Sequence, residues 1–342
     1  MDNTKFGIIG YGSIGKRHHQ RIDETEGAEL VAICDIKEDR FADNTNENIF
    51  KTTNYQEILD NKDVEVVCVT SPNGLHYQMT IDALKKGKHV VCEKPMALSV
   101  LNCNEMIMTA QRTNQKLFVV KQNRFNPPIV KLKELIEKGE LGKIFMVTVN
   151  CFWNRNENYY NDSDWKGTLD LDGGTLFTQF SHFIDLLYYL FGDVISVNAQ
   201  GRNYDHSMID FEDTGVINFE LANEAIGTFN YTTCSFEQNM EGSITVFAEN
   251  GSIKIAGQYL NVLDYYKIKD VVIEELEPGN PSNDYGFYRG SMSNHDKVIK
   301  NVVRTLRGED VIATSAFEGM KTVQIIEACY ESMKINKKIY IR

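Results

Sequence analysis

The stretch GIIGYGSIGKRH, residues 7–18, restricts this chain more than any other. Gly10, Gly12 and Gly15 form a G-x-G-x-x-G pattern directly after a short apolar strand and at the opening of a helix. In that setting Gly10 permits a tight turn, Gly12 lets the backbone approach a pyrophosphate, and Gly15 allows close packing of helix on strand. The helix start, with Ser13 and Ile14, turns unpaired N–H groups toward the phosphates. Twenty residues beyond Gly15, Asp35 closes the run AELVAICD, where a carboxylate accepts hydrogen bonds from both hydroxyls of an adenosine ribose. Asp35 repels a 2′-phosphate and Ile36 supplies no cation, so the pattern predicts NAD over NADP, with Lys37 the one charge nearby that opposes it.

Around this motif the first third alternates short apolar runs with amphipathic segments, the pattern of βαβ units and a parallel sheet. The predicted strands are KFGIIG, AELVAICD, VEVVCVTSP, KHVVCEKP and KLFVVKQN. From about Asn123 the texture changes to longer strands joined by Gly and Asn turns, which predicts an antiparallel sheet. The fold class is therefore α/β: a Rossmann dinucleotide-binding domain over residues 1–122, then an α+β domain over 123–342 with a large, mostly antiparallel open sheet for substrate binding and oligomerisation. GGTLFTQFSHFIDLLYYLFGD (173–193) reads as one oily helix whose Thr178, His182 and Asp185 share a stripe, with Gln179 beside it. Further helices are expected over 286–307 and 314–334, and EPGNPSND (277–284) as a surface loop.

Composition narrows the partners. The 342 residues exceed one ordinary core, and a formal net charge of −12 opposes binding to nucleic acid or to an anionic membrane. No apolar run reaches transmembrane length and the start offers no secretory leader, so a cytoplasmic protein is expected. Seven cysteines without a CxxC pair read as reduced core residues. No His, Cys, Asp or Glu set has metal-ligand spacing, which predicts a metal-free site.

HVVCEKPMALS places Glu93, Lys94 and Pro95 at the carboxyl end of a parallel strand, where open α/β sheets bind ligands. GIIGYGSIGKRH, TSPNGLHYQMTIDALKKGKHVVCEKPMAL and SHFIDLL together resemble the Gfo/Idh/MocA family of NAD(P)-dependent sugar and polyol oxidoreductases, over essentially the whole chain. VVKQNRFN, the segment VNCFWNRNENYYNDSDWKG through SHFIDLL, EDTGV and EGSITVFAENGSIKI are most similar to its UDP-2-acetamido-2-deoxyglucuronate 3-dehydrogenases. The resemblance extends the cofactor set to Ser71, Pro72, Asn73, His76, Glu93, Lys94, Gln122 and Trp165. No chemistry is assigned to His76, His18 or His19 beyond packing and hydrogen bonding.

The same resemblance gives the catalytic work to Lys94 and His182. Oxidising a secondary alcohol moves a hydride to the nicotinamide while a base within hydrogen-bond reach takes the hydroxyl proton. A free lysine titrates near ~10.4, but partial burial beside a cationic nicotinamide lowers that value, so Lys94 is the expected base. His182 is expected to polarise the same hydroxyl or relay its proton. Many family members carry an aspartate four residues before this histidine; here Thr178 stands there, as the glucuronate subgroup implies, and weight moves to Lys94. An acidic UDP-sugar presents a diphosphate and a carboxylate, for which Arg124, Arg155 and Lys166 are the expected cations. Asn123, Tyr159, Tyr160, Thr178 and Gln179 complete the expected substrate set. The alternatives are an inositol, polyol or simple-sugar dehydrogenase, which needs no such cations, and a catalytically silent dinucleotide-binding regulator. A sheet with one uncovered face implies a homodimer or homotetramer.

Overall fold

The computed structural model of the chain describes residues 3–286 and 288–341. Two compact units emerge, Met1–Lys121 with His295–Val323, and Gln122–Asn294 with Gln324–Arg342. The first break falls beside the expected 122/123 boundary, and residues 295–323 of the expected C-terminal domain cluster with the first unit.

In chain order the first unit contains β1 (Thr4–Ile9), α1 (Ser13–Asp23), β2 (Ala28–Cys34), β3 (Phe50–Thr52), α2 (Tyr55–Asp60), β4 (Val66–Val69), α3 (His76–Lys85), β5 (His89–Cys92), α4 (Val100–Thr113) and β6 (Leu117–Val119). The six strands form one all-parallel sheet in the order β3-β2-β1-β4-β5-β6. That is the order of a doubly wound dinucleotide fold, whose strand order reverses beside β1. Its strands are buried runs such as Val66–Val69, as expected of a parallel sheet covered on both faces. β3, only three residues long, was not anticipated.

The second unit contributes α5 (Pro127–Glu137), β7 (Ile144–Phe152), α6 (Glu157–Asn161), α7 (Thr175–Thr178), α8 (Ser181–Phe191), β8 (Val194–Arg202), β9 (Thr214–Leu221), β10 (Ile226–Thr232), β11 (Glu241–Ala248), β12 (Gly251–Ala256), β13 (Val262–Ile268), β14 (Ser282–Asp284) and β15 (Arg289–Met292). The chain then runs through α9 (His295–Leu306) and α10 (Ala316–Ile335) to β16 (Ile339–Tyr340). The large sheet has eight strands in the order β13-β12-β11-β7-β10-β9-β8-β16. It is antiparallel except for β10 beside β7. Its alternating strands turn Val147, Val149, Phe229 and Tyr231 into the core, where Phe180 and Phe183 of the α8 segment meet Phe229 at 6.1 and 6.2 Å.

Three expectations of element extent change. The helix expected from 286 begins at His295, because Ser282–Asp284 and Arg289–Met292 pair as the antiparallel strands β14 and β15. That hairpin also takes in the end of the expected 277–284 loop. The segment 173–193 is two helices, not one: Phe180 N–H reaches back five residues to Thr175 O at 3.2 Å, and α8 restarts at Ser181. The aromatic residues keep a helical period across this break, so periodicity alone conceals it. In the first unit, α9 packs on α1 and buries Val298, Ile299, Val302 and Val303, while Val119 N–H donates to Thr314 O along β6. These contacts explain why 295–323 joins the dinucleotide fold.

Candidate functional site

The turn after β1 has the geometry of a phosphate cradle. Gly10 has φ +95°, and a side chain there would meet the backbone of Thr70 and Ser71 at 2.7 Å. A Cβ on Gly15 would lie 2.1 Å from Gly10 O, so helix and turn touch directly. At Gly12, by contrast, a Cβ would find nothing within 4 Å. Gly12 caps α1 without a side-chain hydrogen bond, and the first turn carries no acid. The N–H groups at Ser13 and Ile14 open the helix without intrahelical acceptors, which suits the pyrophosphate of a dinucleotide. Asp35 lies just past β2 and is already held: Oδ2 accepts Tyr11 N–H at 2.8 Å and Oδ1 accepts Lys37 N–H at 3.0 Å. Each oxygen keeps a lone pair for a ribose hydroxyl.

On the neighbouring β4 turn, Ser71 Oγ is buried and has no hydrogen-bond partner among the described residues, and Pro72 caps the short turn Asn73–Leu75. His76 binds this turn to the next: its ring nitrogens face Ser71 O at 2.9 Å and Pro95 O at 2.7 Å. Burial pushes its pKa down, so the neutral ring donates to one of the two carbonyls. Both ring nitrogens are thus occupied within the protein, and His76 positions the turns instead of offering the cofactor a hydrogen bond.

Glu93 and Lys94 follow β5, and the Lys94–Pro95 peptide is cis. Lys94 is half-buried. Glu93 is buried, with Oε1 2.9 Å from His18 Nε2 and Oε2 accepting Lys94 N–H at 3.0 Å. His295 Nε2 lies 3.3 Å from the same Oε1, at ion-pair distance without hydrogen-bond alignment.

In the second unit the turn Gln122–Phe125 faces α8. Gln122 Nε2 donates to Ser291 Oγ at 3.1 Å and lies 3.3 Å from His182 Nε2. With the amide donating, His182 Nε2 is an acceptor and the ring proton sits on Nδ1. Gln122 Oε1 and Asn123 Oδ1 are buried acceptors with no partner among the described residues. Asn294 Nδ2 donates to Gln122 O at 3.1 Å and fixes the turn.

The expected polar stripe does not form, because the helix break separates its members. Thr178 donates to the Asp172 carboxylate, whose other oxygen accepts Gly167 N–H at 2.8 Å. An aspartate thus sits beside Thr178 after all, supplied from six residues upstream. Arg124, expected as a substrate cation, is a buried fork on Asp185, with Nε to Oδ2 and Nη2 to Oδ1 both 2.8 Å. That carboxylate already neutralises its charge.

Arg155 is the opposite case. It is 2% exposed, and among the described residues no carboxylate lies within 4.0 Å of it. Its Nε donates to Gln179 Oε1 at 2.7 Å, and Nη1 donates to Asn154 O at 2.6 Å and Asn239 Oδ1 at 3.3 Å, all neutral acceptors. Trp153, Tyr159 and Tyr288 present rings at 4.9, 5.4 and 5.1 Å from its Cζ. Lys166 Nζ lies 4.3 Å from the Tyr159 centroid, and burial pushes its pKa down against the pull of Asp162. Gln179 Nε2 closes the group by donating to Tyr159 OH at 2.6 Å. Tyr160 packs edge-on against Tyr159 and His206, deeper in the same aromatic cluster. Trp165 is half-exposed, and among the described residues its indole has no ring or hydrogen-bond partner.

Residue spacing concealed two groupings. His18, Glu93 and His295 converge, as do His206, Asp213 and Cys234, each with ligand-type atoms within 4.8 Å. Both carboxylates are already engaged: Asp213 Oδ2 accepts the amides of Tyr204 and Asp205 at 3.0 and 2.8 Å and lies 3.1 Å from His206 Nδ1. Burial raises the Cys234 thiol, which disfavours the thiolate a metal would need. Both groupings are accordingly read as hydrogen-bonded networks. No helix among the described residues is long and apolar enough to cross a membrane.

Comparison with known proteins agrees with this geometry. Residues 4–121 match the family model GFO_IDH_MocA, an oxidoreductase family with an NAD-binding Rossmann fold, and residues 133–341 match the C-terminal alpha/beta domain of the same family. The WlbA dehydrogenase from Bordetella pertussis, solved with NADH and UDP-GlcNAcA, is 33% identical over 99% of both chains with a TM-score of 0.89. The corresponding WlbA enzyme from Chromobacterium violaceum, solved with the same two ligands, is 30% identical over 100% of this chain and 97% of that one, with a TM-score of 0.88. Glucose-6-phosphate 3-dehydrogenase of Bacillus subtilis is 26% identical over 96% of this chain and 95% of its own. The glycine turn and the two matching domains together make this chain a member of the Gfo/Idh/MocA oxidoreductases, an enzyme that uses NAD.

Proposed function

We propose that the chain oxidises the C3 hydroxyl of an acidic nucleotide sugar of the UDP-N-acetylglucosaminuronate type, in surface-polysaccharide synthesis. The observation that carries this reading is Arg155. A buried guanidinium with only neutral acceptors and ring faces is poorly compensated, and an anionic ligand completes it. Lys166, against the same tyrosine, adds a second positive charge for a substrate that carries both a carboxylate and a diphosphate. The likeness to dehydrogenases solved with UDP-GlcNAcA supports the same substrate class.

The reaction converts a secondary alcohol to a ketone: the C–H bond breaks with its electron pair, the O–H bond loses a proton, and a C=O bond forms. NAD, when bound, supplies the hydride acceptor. Lys94, half-buried just past β5, takes the hydroxyl proton. His182, with Nε2 as acceptor, polarises the hydroxyl or relays its proton, while the buried amides of Gln122 and Asn123 offer fixed acceptors. The outer face of the large sheet, where Met146, Ile226 and Phe247 lie in register and are exposed, supports a homodimer or homotetramer.

The test is Arg155→Ala assayed with UDP-N-acetylglucosaminuronate and with UDP-N-acetylglucosamine, which lacks the carboxylate. Loss of a charge-assisted contact raises KM for the acid about 10- to 100-fold more than for the neutral sugar. Equal losses for the two sugars contradict the reading.

A further inference from the structure

We propose that Glu93 is a positioning residue for Lys94, tied by His18 and His295 to the helix that opens on the cofactor phosphates. This rests on the reading of Lys94 as the base. The Glu93 carboxylate wraps back on its own chain. Oε2 takes the Lys94 amide N–H at 3.0 Å, while Oε1 faces His18 Nε2 at 2.9 Å and His295 Nε2 at 3.3 Å. His18 stands on α1, the helix capped by Gly12, and His295 opens α9, which packs on α1. Both imidazoles are fully buried, their rings edge-to-face at 5.4 Å.

A space-filling side chain at this place would need no charge. Burial alone would push the Glu93 carboxyl up, yet the His18 hydrogen bond and the charge contacts with His18 and His295 overturn that and hold it well below the usual range. A buried carboxylate with such partners is costly to displace, so the strap is stiff. It links the peptide that carries the base to the helix that fixes the cofactor's phosphates. A reacting group has to be held within roughly 0.5 Å, and a charged strap to the cofactor helix provides that.

A double-mutant cycle tests the proposal, with NAD and UDP-N-acetylglucosaminuronate as substrates. Glu93→Gln keeps the shape and loses the charge; it is expected to lower kcat about 10- to 100-fold while the Kd for NADH moves less than about 3-fold. In a Lys94→Met background the same change is expected to alter the residual kcat less than about 2-fold, because no base remains to misplace. Equal losses in both backgrounds overturn the proposal and make Glu93 a support of the fold alone. A Lys94→Met enzyme with near wild-type turnover is a different failure, that of the base assignment itself.

Hydrogen–deuterium exchange of the Lys94 amide needs no substrate and covers a variant too slow to assay or too unstable to purify. His18→Gln keeps a donor for Oε1 and should exchange like wild type. His18→Leu should exchange about 10-fold faster at Lys94 with the β5 amides unchanged. An unchanged Lys94 amide in His18→Leu overturns the proposal.

Discussion

Arg124 and Asp185 meet as a fork on a carboxylate, two hydrogen bonds of 2.8 Å between side chains 4% and 2% exposed. The pair joins the Gln122–Phe125 turn to α8, and so fixes the turn that presents Gln122 and Asn123. Breaking it by Asp185→Asn leaves a buried guanidinium uncompensated, at a cost of about 3–5 kcal/mol. Arg124→Met with Asp185→Leu together removes both charges and should recover most of that. Urea unfolding measures both; an Asp185→Asn protein as stable as wild type would contradict the pairing.

Replacing Asp35 tests the cofactor preference. Asp35→Ser removes an acceptor from the adenosine ribose and the repulsion toward a 2′-phosphate, each on the order of 1–2 kcal/mol. NAD binding should weaken and NADP binding improve, as read by titration of the reduced cofactors. Tyr11 N–H and Lys37 N–H also lose their acceptor, so part of the NAD loss reflects a looser turn. Wild-type preference for NADP would contradict the assignment.

Glu212 sets a pH dependence of stability. Burial pushes its carboxyl up to about 7, against the hydrogen bonds from Tyr231 and Tyr330 at 3.0 and 3.1 Å. In the unfolded chain it titrates near its ordinary 4.5. Between these values the folded state holds a proton that the unfolded state has released, so stability falls as pH rises from about 4.5 to about 7, by on the order of 3 kcal/mol. Glu212→Gln keeps an acceptor for both tyrosines and cannot ionise. Its Tm relative to wild type should climb across that window and level off above it. A difference between the two proteins that does not vary with pH would contradict the shift.

The sequence made the nucleotide end legible because its signals are local. A glycine turn, a strand and an acid twenty residues on are all close in the chain, and in the fold Gly10 turns at φ +95°, Gly12 has open space around it and Asp35 accepts the Tyr11 amide of the same turn. The second unit was legible in strands and less so in partners. The helix expected from 286 concealed the β14–β15 hairpin and the residues around it, with Tyr288 over Arg155, Ser291 beside Gln122 and Asn294 on its carbonyl. The aromatic period of 173–193 concealed the break that sends Thr178, Gln179 and His182 to different partners. Arg124 and Arg155 look alike as letters; only tertiary contacts show that one charge is matched and the other is not. His295, 202 residues from Glu93, and His18, 75 residues from it, converge through parallel-sheet topology that spacing does not reveal.

The most direct test of the account is the initial rate of NADH formation by the wild-type enzyme with UDP-N-acetylglucosaminuronate, myo-inositol and glucose in turn. The account predicts a kcat/KM for the acidic nucleotide sugar at least about 100-fold above that for either neutral compound, as expected when a charged ligand meets a buried cation. Faster oxidation of myo-inositol or glucose than of the nucleotide sugar would contradict it.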